Sequence, residues 1–450
     1  MRKAPLFFLV LLLSSSAACR RPKIEVYPAG LVFPLEDAGQ VAFEGRLNGA
    51  LVKGGDGRFY FSTDTGFLYG LDIAAQQLSW QHSNPSPYGC PPLPAPDRIF
   101  IWDRENAVFG LTLKGDPVWK TSLPDAIASP LSADAERVYL GTEGGDLLAL
   151  SQASGEPLWR FRTQGAVSAP PAFFGDTVVL GSSDGSVYLL SSKGALRRSI
   201  SLGSAVSTTP LVDGDRLYVG TDDFRFHCYD LKTLKRKWGI RAGGRLLVTP
   251  GADEKRVYFQ ASNSVLYALD KQGGTILWWW ISPSRSAFEL GIEGPEILAT
   301  SRSPYLFALD RKSGKAVGSY EAKAEIRSNP AWGAPNLAIA VLDPAAEREA
   351  IAFLRKKVKV EVLASPASPQ PAGTEVTFTA EAAGFFRPQY EFFMREGAET
   401  SIVQKAGEKS SWVWYADKEG AFTIGVKVSD EKQTREAEVK FEISKKEKEK

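Results

Sequence analysis

Few residues in this sequence of 450 have side chains suited to chemistry, and they are scattered. Gly181-Ser182-Ser183-Asp184-Gly185 has the Gly-x-Ser-x-Gly spacing of a serine nucleophile, which needs a strand–turn–helix elbow and a histidine partner. The sequence holds two histidines, His82 and His227, too few for a metal centre of three or four ligands. It holds three cysteines, Cys19, Cys90 and Cys228, no two of them adjacent. Other residues suit recognition. Phe224 precedes Arg225, Trp279 and Trp280 extend Trp278 into a triple, and Tyr88 lies in the proline-rich stretch 81–92. Exposed aromatics beside arginine anchor protein interfaces, so these five are the candidate interface; the alternative is that they pack on neighbouring loops.

The elements that would position them repeat. Apolar strand centres fall at Tyr60, Phe100, Tyr139, Val179, Tyr218, Tyr258, Ile297 and Ile339, spaced 39 to 42 residues apart. A closing tryptophan keeps step at Trp80, Trp119, Trp159, Trp238 and Trp278, and a proline at Pro92, Pro130, Pro170, Pro210, Pro250 and Pro330. Each unit has room for four short strands and tight turns such as Glu143-Gly144-Gly145. Such repeats stack radially as propeller blades. Eight units are expected, seven being the alternative. The eighth lacks a closing strand, which 40–44 would supply from the N-terminal side, removing an exposed edge. The fourth and seventh units carry Arg198 or Ser199 and Val317 or Gly318 in place of tryptophan, so their seams should be less filled.

In this register the Gly-x-Ser-x-Gly stretch is a hairpin, not an elbow, and no catalytic residue is expected. His227 fills the slot of Tyr69, Leu148, Tyr188 and Tyr267, and Cys228 that of Gly70, Ala149 and Ala268. Cys90 and Cys228 lie three blades apart, beyond the roughly 7 Å a disulfide spans, so both should be free thiols. Phe224 takes a hairpin slot held elsewhere by Gly66, Gly145 and Gly185, where an aromatic has little to pack against. One of Trp279 and Trp280 should face away from the blade.

Residues 1–19 read as a targeting segment: Arg2 and Lys3, then an apolar run at 4–13 too short to span a bilayer. Ser16-Ala17-Ala18-Cys19 places small residues before a cysteine, as in a bacterial lipoprotein cleavage box, so Cys19 is the expected lipid attachment; ordinary cleavage after Ala18 is the alternative. The propeller is expected over 24–356. From 357 to 444 the period gives way to alternating strands, which read as a β-sandwich, and 445–450 as a charged, disordered tail. A net charge of +2 argues against nucleic acid as a partner.

Tyr139-Leu140-Gly141-Thr142, Tyr218-Val219-Gly220-Thr221 and Tyr267-Ala268-Leu269-Asp270 resemble the pyrroloquinoline-quinone-type propeller repeat, across roughly residues 40 to 355. Proteins with this repeat include quinone-dependent alcohol dehydrogenases and the propeller lipoprotein of the outer-membrane β-barrel assembly machinery, a scaffold without cofactor. In the dehydrogenases the quinone lies against a ring of two adjacent, disulfide-bonded cysteines. This sequence has no such pair, so no cofactor is expected. Tyr390-Glu391-Phe392, Trp412-Val413-Trp414 and Gly420-Ala421-Phe422-Thr423-Ile424 resemble bacterial immunoglobulin-like modules. The expectation is an all-β, non-enzymatic, monomeric protein, lipid-anchored in the cell envelope at the periplasmic face of the outer membrane or the cell surface. Its propeller rim would bind a protein partner in outer-membrane protein assembly. Surface carbohydrate binding is the alternative, and a quinone-dependent dehydrogenase ranks below both.

Overall fold

The computed structural model describes residues 34–445 except 247, 285–287, 344–346, 386–387 and 431–432. The targeting segment with Cys19 and the tail 446–450 lie outside the described residues.

Eight four-stranded antiparallel sheets form among the described residues, as the repeat predicts. Each is one blade, with strands a to d in order outwards; strands a of neighbouring blades meet at the centre. Strands b and c carry the apolar residues that both faces of a sandwiched sheet require, and strand d alternates between covered and exposed positions. The last blade takes its d strand, Leu35–Ala42, from the N-terminal side: Leu35 pairs with Lys356 and Ala42 with Ala350. The closing strand is therefore longer than 40–44 and starts earlier. Apolar clusters bridge every seam, including the one joining Phe59, Phe61 and Tyr69 of blade one to Ala338, Ile351 and Phe353 of blade eight, so the ring is closed.

Pairing corrects the register of two units. Leu298 faces Gly291 and Ala338 faces Ala331, as Tyr60 faces Val52, so the centres are Leu298 and Ala338 rather than Ile297 and Ile339. The spacing tightens to 39 or 40 residues throughout.

Each closing tryptophan belongs to the seam that follows it. The indole N–H donates to a carbonyl of the next blade at 2.9 to 3.1 Å: Trp80 to Leu113, Trp119 to Gln152, Trp159 to Ser192, Trp238 to Lys271, Trp278 to Arg311. The ring lies on a positive-φ glycine two or three residues further on, Gly115, Gly155, Gly194, Gly274 or Gly314, where a Cβ would come within 2.4 to 2.8 Å of it. Where the tryptophan is missing, the glycine is missing too. Arg198 takes its place at the seam after blade four, donating to Lys232 O (2.7 Å) and Thr233 O (3.0 Å), and Leu234 (φ 57°) replaces the glycine. Gly39 takes it at the seam after blade eight, opposite Gln76 (φ 58°). Blade seven has Gly318, and its seam keeps a cleft of about 330 Å³ lined by Asp37, Tyr320 and Lys323.

Residues 359–444 form a three-stranded and a five-stranded sheet around one core of Val376, Phe378, Phe392, Ile424, Val426 and Phe441. The strand Glu399–Gly407 has no apolar alternation because it is an edge with both faces largely in solvent.

Candidate interaction surface

The hairpin of blade five ends in Phe224, whose φ of 69° is the left-handed conformation held in sister hairpins by Gly66, Gly145 and Gly185 (85° to 91°), Asn106 (60°) and Ser264 (69°). Phe224 N–H donates to Thr221 O (3.0 Å), and Phe224 O accepts Ala242 N–H (2.7 Å), so the backbone is fixed while the ring is exposed. A bulky residue there is strained by about 1–2 kcal/mol. Arg225 begins strand c, is exposed and pairs with Asp223 at 3.1 Å. It faces Arg241 across the sheet; Arg236 and Arg241, on the outer strand of this blade, have no ion pair among the described residues.

In blade six, Trp278 and Trp280 turn toward blade seven. Trp278 covers Gly314, and the Trp280 ring lies 5.2 Å from that of Phe307. Strand alternation then aims Trp279 and Ile281 at the blade-five side, 60% and 58% exposed, with Leu277 at the bulge 48% exposed. Trp279 pairs with Tyr267, whose hydroxyl accepts Gly243 N–H (3.3 Å). The linker 242–243 thus connects the Phe224 backbone to Tyr267, the cross-strand neighbour of Trp279.

Tyr88 is not part of this surface. Its side chain is fully buried, its ring 6.3 Å from Phe109, and its backbone bridges Asp103. The linker proper, 84–92, is of ordinary length, and in it Tyr88 occupies an apolar slot that recurs as Leu47, Ile127, Leu246 and Ile326. That recurrence is the sequence signal that would have placed Tyr88 inside.

The other reactive side chains are packed away. Ser182 lies buried in a hairpin, donating to Gly165 O (3.2 Å), and no helix follows it. His227 is buried; burial first, then Arg236, holds its imidazole below the ordinary value. His82 lies in the outer strand of blade one, and burial lowers it as well. Cys90 and Cys228 are free and buried, and burial pushes the Cys90 thiol up to about 12. Among the described residues no three His, Cys, Asp or Glu are grouped to hold a metal ion.

No curated protein matches this sequence. Among solved structures, BamB from Moraxella catarrhalis superimposes with a TM-score of 0.60 at 16% identity, over 72% of this chain and 100% of that one. The computationally designed Ika8 protein gives 0.61 at 15%, over 70% and 99%. A quinohemoprotein alcohol dehydrogenase from Comamonas testosteroni gives 0.59 at 11%, over 71% and 76%. At such identities these likenesses establish the propeller fold and nothing more. The family model described as outer membrane protein assembly factor BamB matches residues 105–198 and 194–365, more than half of the sequence, and on that ground the chain belongs to this family.

Proposed function

We propose that the chain is a non-enzymatic scaffold of the bacterial envelope that holds a protein partner against the outer wall of its propeller during outer-membrane protein assembly. Residues 1–19 export it, a lipid on Cys19 tethers it, the ring spans 24–356, and the module 357–444 is an immunoglobulin-like spacer. Membership of the BamB family supports the setting.

One observation carries the choice of surface. On the blade-five side of blade six, Trp279 and Ile281 stand exposed in a row, where the sister blades place Gln81, Lys120, Arg160 or Ser199 and Ser83, Ser122, Arg162, Ser201 or Arg241. Exposed apolar side chains at positions that are polar in the sister blades have the composition of an interface core. Phe224 adds an aromatic that its backbone disfavours, and strain of this kind concentrates where function retains it.

Full-length protein and its Trp279→Ala and Phe224→Ala variants would be used to capture partners from an envelope extract. Loss of one protein band with either variant is the expected result. Equal capture by all three overturns the choice of surface, and retention by glycans in place of protein favours the carbohydrate reading.

A further inference from the structure

One slot on strand c takes a large side chain in every blade but the last. Counted from the strand centres, it holds Tyr69, Phe109, Leu148, Tyr188, His227, Tyr267 and Phe307 in blades one to seven, and Ala352 in blade eight. The slot faces the outer strand of the preceding blade. Phe161 meets Tyr188 there with ring centroids 5.4 Å apart, and Trp280 meets Phe307 at 5.2 Å. Tyr320 is the matching residue of blade seven, since it pairs with Leu306 as Phe161 pairs with Leu147 and Trp280 with Leu266. Across the seam from Tyr320 the slot holds the Ala352 methyl group in place of a ring. The cleft of about 330 Å³ lies here, walled by Tyr320, Ala322, Val341 and Ala352, with Asp37 and Lys323 beside them.

The same cleft holds an unmatched donor. In blades one and six the slot is a tyrosine whose hydroxyl accepts an N–H from the linker that precedes the blade: Glu44 N–H to Tyr69 (3.1 Å) and Gly243 N–H to Tyr267 (3.3 Å). Lys323 follows Glu321 as Glu44 follows Ala42 and Gly243 follows Arg241, so its N–H is the equivalent donor. It has no partner among the described residues. The Lys323 side chain is 89% exposed, which makes the linker end the mouth of the cleft and Ala352 its floor.

We infer that this cleft binds a small free phenol, its ring between Tyr320 and Ala352 and its hydroxyl accepting the Lys323 N–H, where sister blades carry a tyrosine of their own. The volume stands at the low end of small-molecule sites, about 300–1,000 Å³, and suits one ring rather than an oligosaccharide. Orientation selects the source. With the hydroxyl at the mouth, the para carbon points to the floor, where a methyl group replaces the missing side-chain carbon and a peptide backbone has no room. A tyrosine of another protein would enter ring first and carry its hydroxyl past Lys323.

The probe is p-cresol, added to the full chain with labelled amides and alanine methyl groups. It is expected to bind with a Kd on the order of 1 mM, to move the Lys323 amide proton downfield, and to give nuclear Overhauser contacts from its ring to the Ala352 methyl. Toluene should give the Ala352 contacts without the downfield shift. 4-tert-Butylphenol, although more apolar, should bind about 10-fold more weakly, because its bulk meets the floor. Ala352→Leu, which fills the slot as Leu148 does in blade three, should abolish binding. No contact with Ala352 in the parent chain, an equal Lys323 shift with toluene, or undiminished binding of 4-tert-butylphenol each overturns the site, and the three stand whether or not the Leu variant folds. Undiminished p-cresol binding by a folded Ala352→Leu variant overturns it as well. N-acetyltyrosinamide matching p-cresol at both signals overturns the free phenol in favour of a partner's tyrosine.

Discussion

Trp119 lies so close over Gly155 that a Cβ on the glycine would stand 2.4 Å from the indole Cε3. The glycine at this turn is required twice, by its φ of 75° and by the ring above it. Gly203 has a φ of 77° but open space around it, which separates the two requirements. Gly155→Ala should cost about 3 kcal/mol, strain plus overpacking. Gly203→Ala should cost about 1 kcal/mol, from strain alone. Denaturant unfolding of both variants reads the difference, and equal costs would show that the indole imposes nothing.

The closing strand is latched to blade seven through Asp37, which accepts hydrogen bonds from the Tyr320 hydroxyl and from Lys323 Nζ (2.9 Å). These bonds, Tyr320 first, hold the Asp37 carboxyl below its ordinary value. A carboxyl depressed in the folded state stabilises it above the unfolded value of about 3.9, and that contribution fades as pH falls through the lower folded value. Asp37→Asn should therefore lower the thermal midpoint at pH 7, with the gap to the parent closing in stronger acid. A gap independent of pH would remove the charge from the account.

Cys90 and Cys228 should resist thiol reagents in the native protein at pH 8, since burial raises both and the thiolate is the reactive form. In denaturant both should react at the rate of a free cysteine. Rapid labelling of the native chain would place one of them at the surface.

Phe224→Gly should leave stability unchanged or raise it by up to about 1 kcal/mol, because relief of the left-handed strain outweighs the backbone entropy of glycine. Calorimetry of the variant checks this. A clear loss of stability would mean the ring packs against something, and that its place is structural.

The ring could be read from the sequence because its markers are large and its period strict: Tyr60, Tyr139, Tyr218 and Tyr258 all proved to be fully buried strand centres. The two misplaced centres adjoin the true ones within unbroken apolar runs, where Ile297 and Leu298, or Ala338 and Ile339, are chemically interchangeable. Phe224 could be located because its hairpin slot is held in sister blades by glycine or a small polar residue, Gly66, Gly145, Gly185, Asn106 and Ser264, leaving an aromatic there little to pack against. Tyr88 was misjudged because proline richness suggested an irregular loop, although the linker kept the forty-residue register. The outward direction of Trp279 needs strand parity counted from Trp278, which no residue type records.

The pairing of Leu35 with Lys356, continued by Lys357 N–H on Pro34 O (2.8 Å), has a mechanical meaning. The chain enters and leaves the ring at one corner. A pull applied between a tether upstream of residue 34 and the module downstream of 357 would not be shared among the eight blades. It would load this one pair and peel the closing strand a bond at a time, so that the strongest part of the molecule never bears the tension and the latch at Asp37 sets the force at which the disc opens.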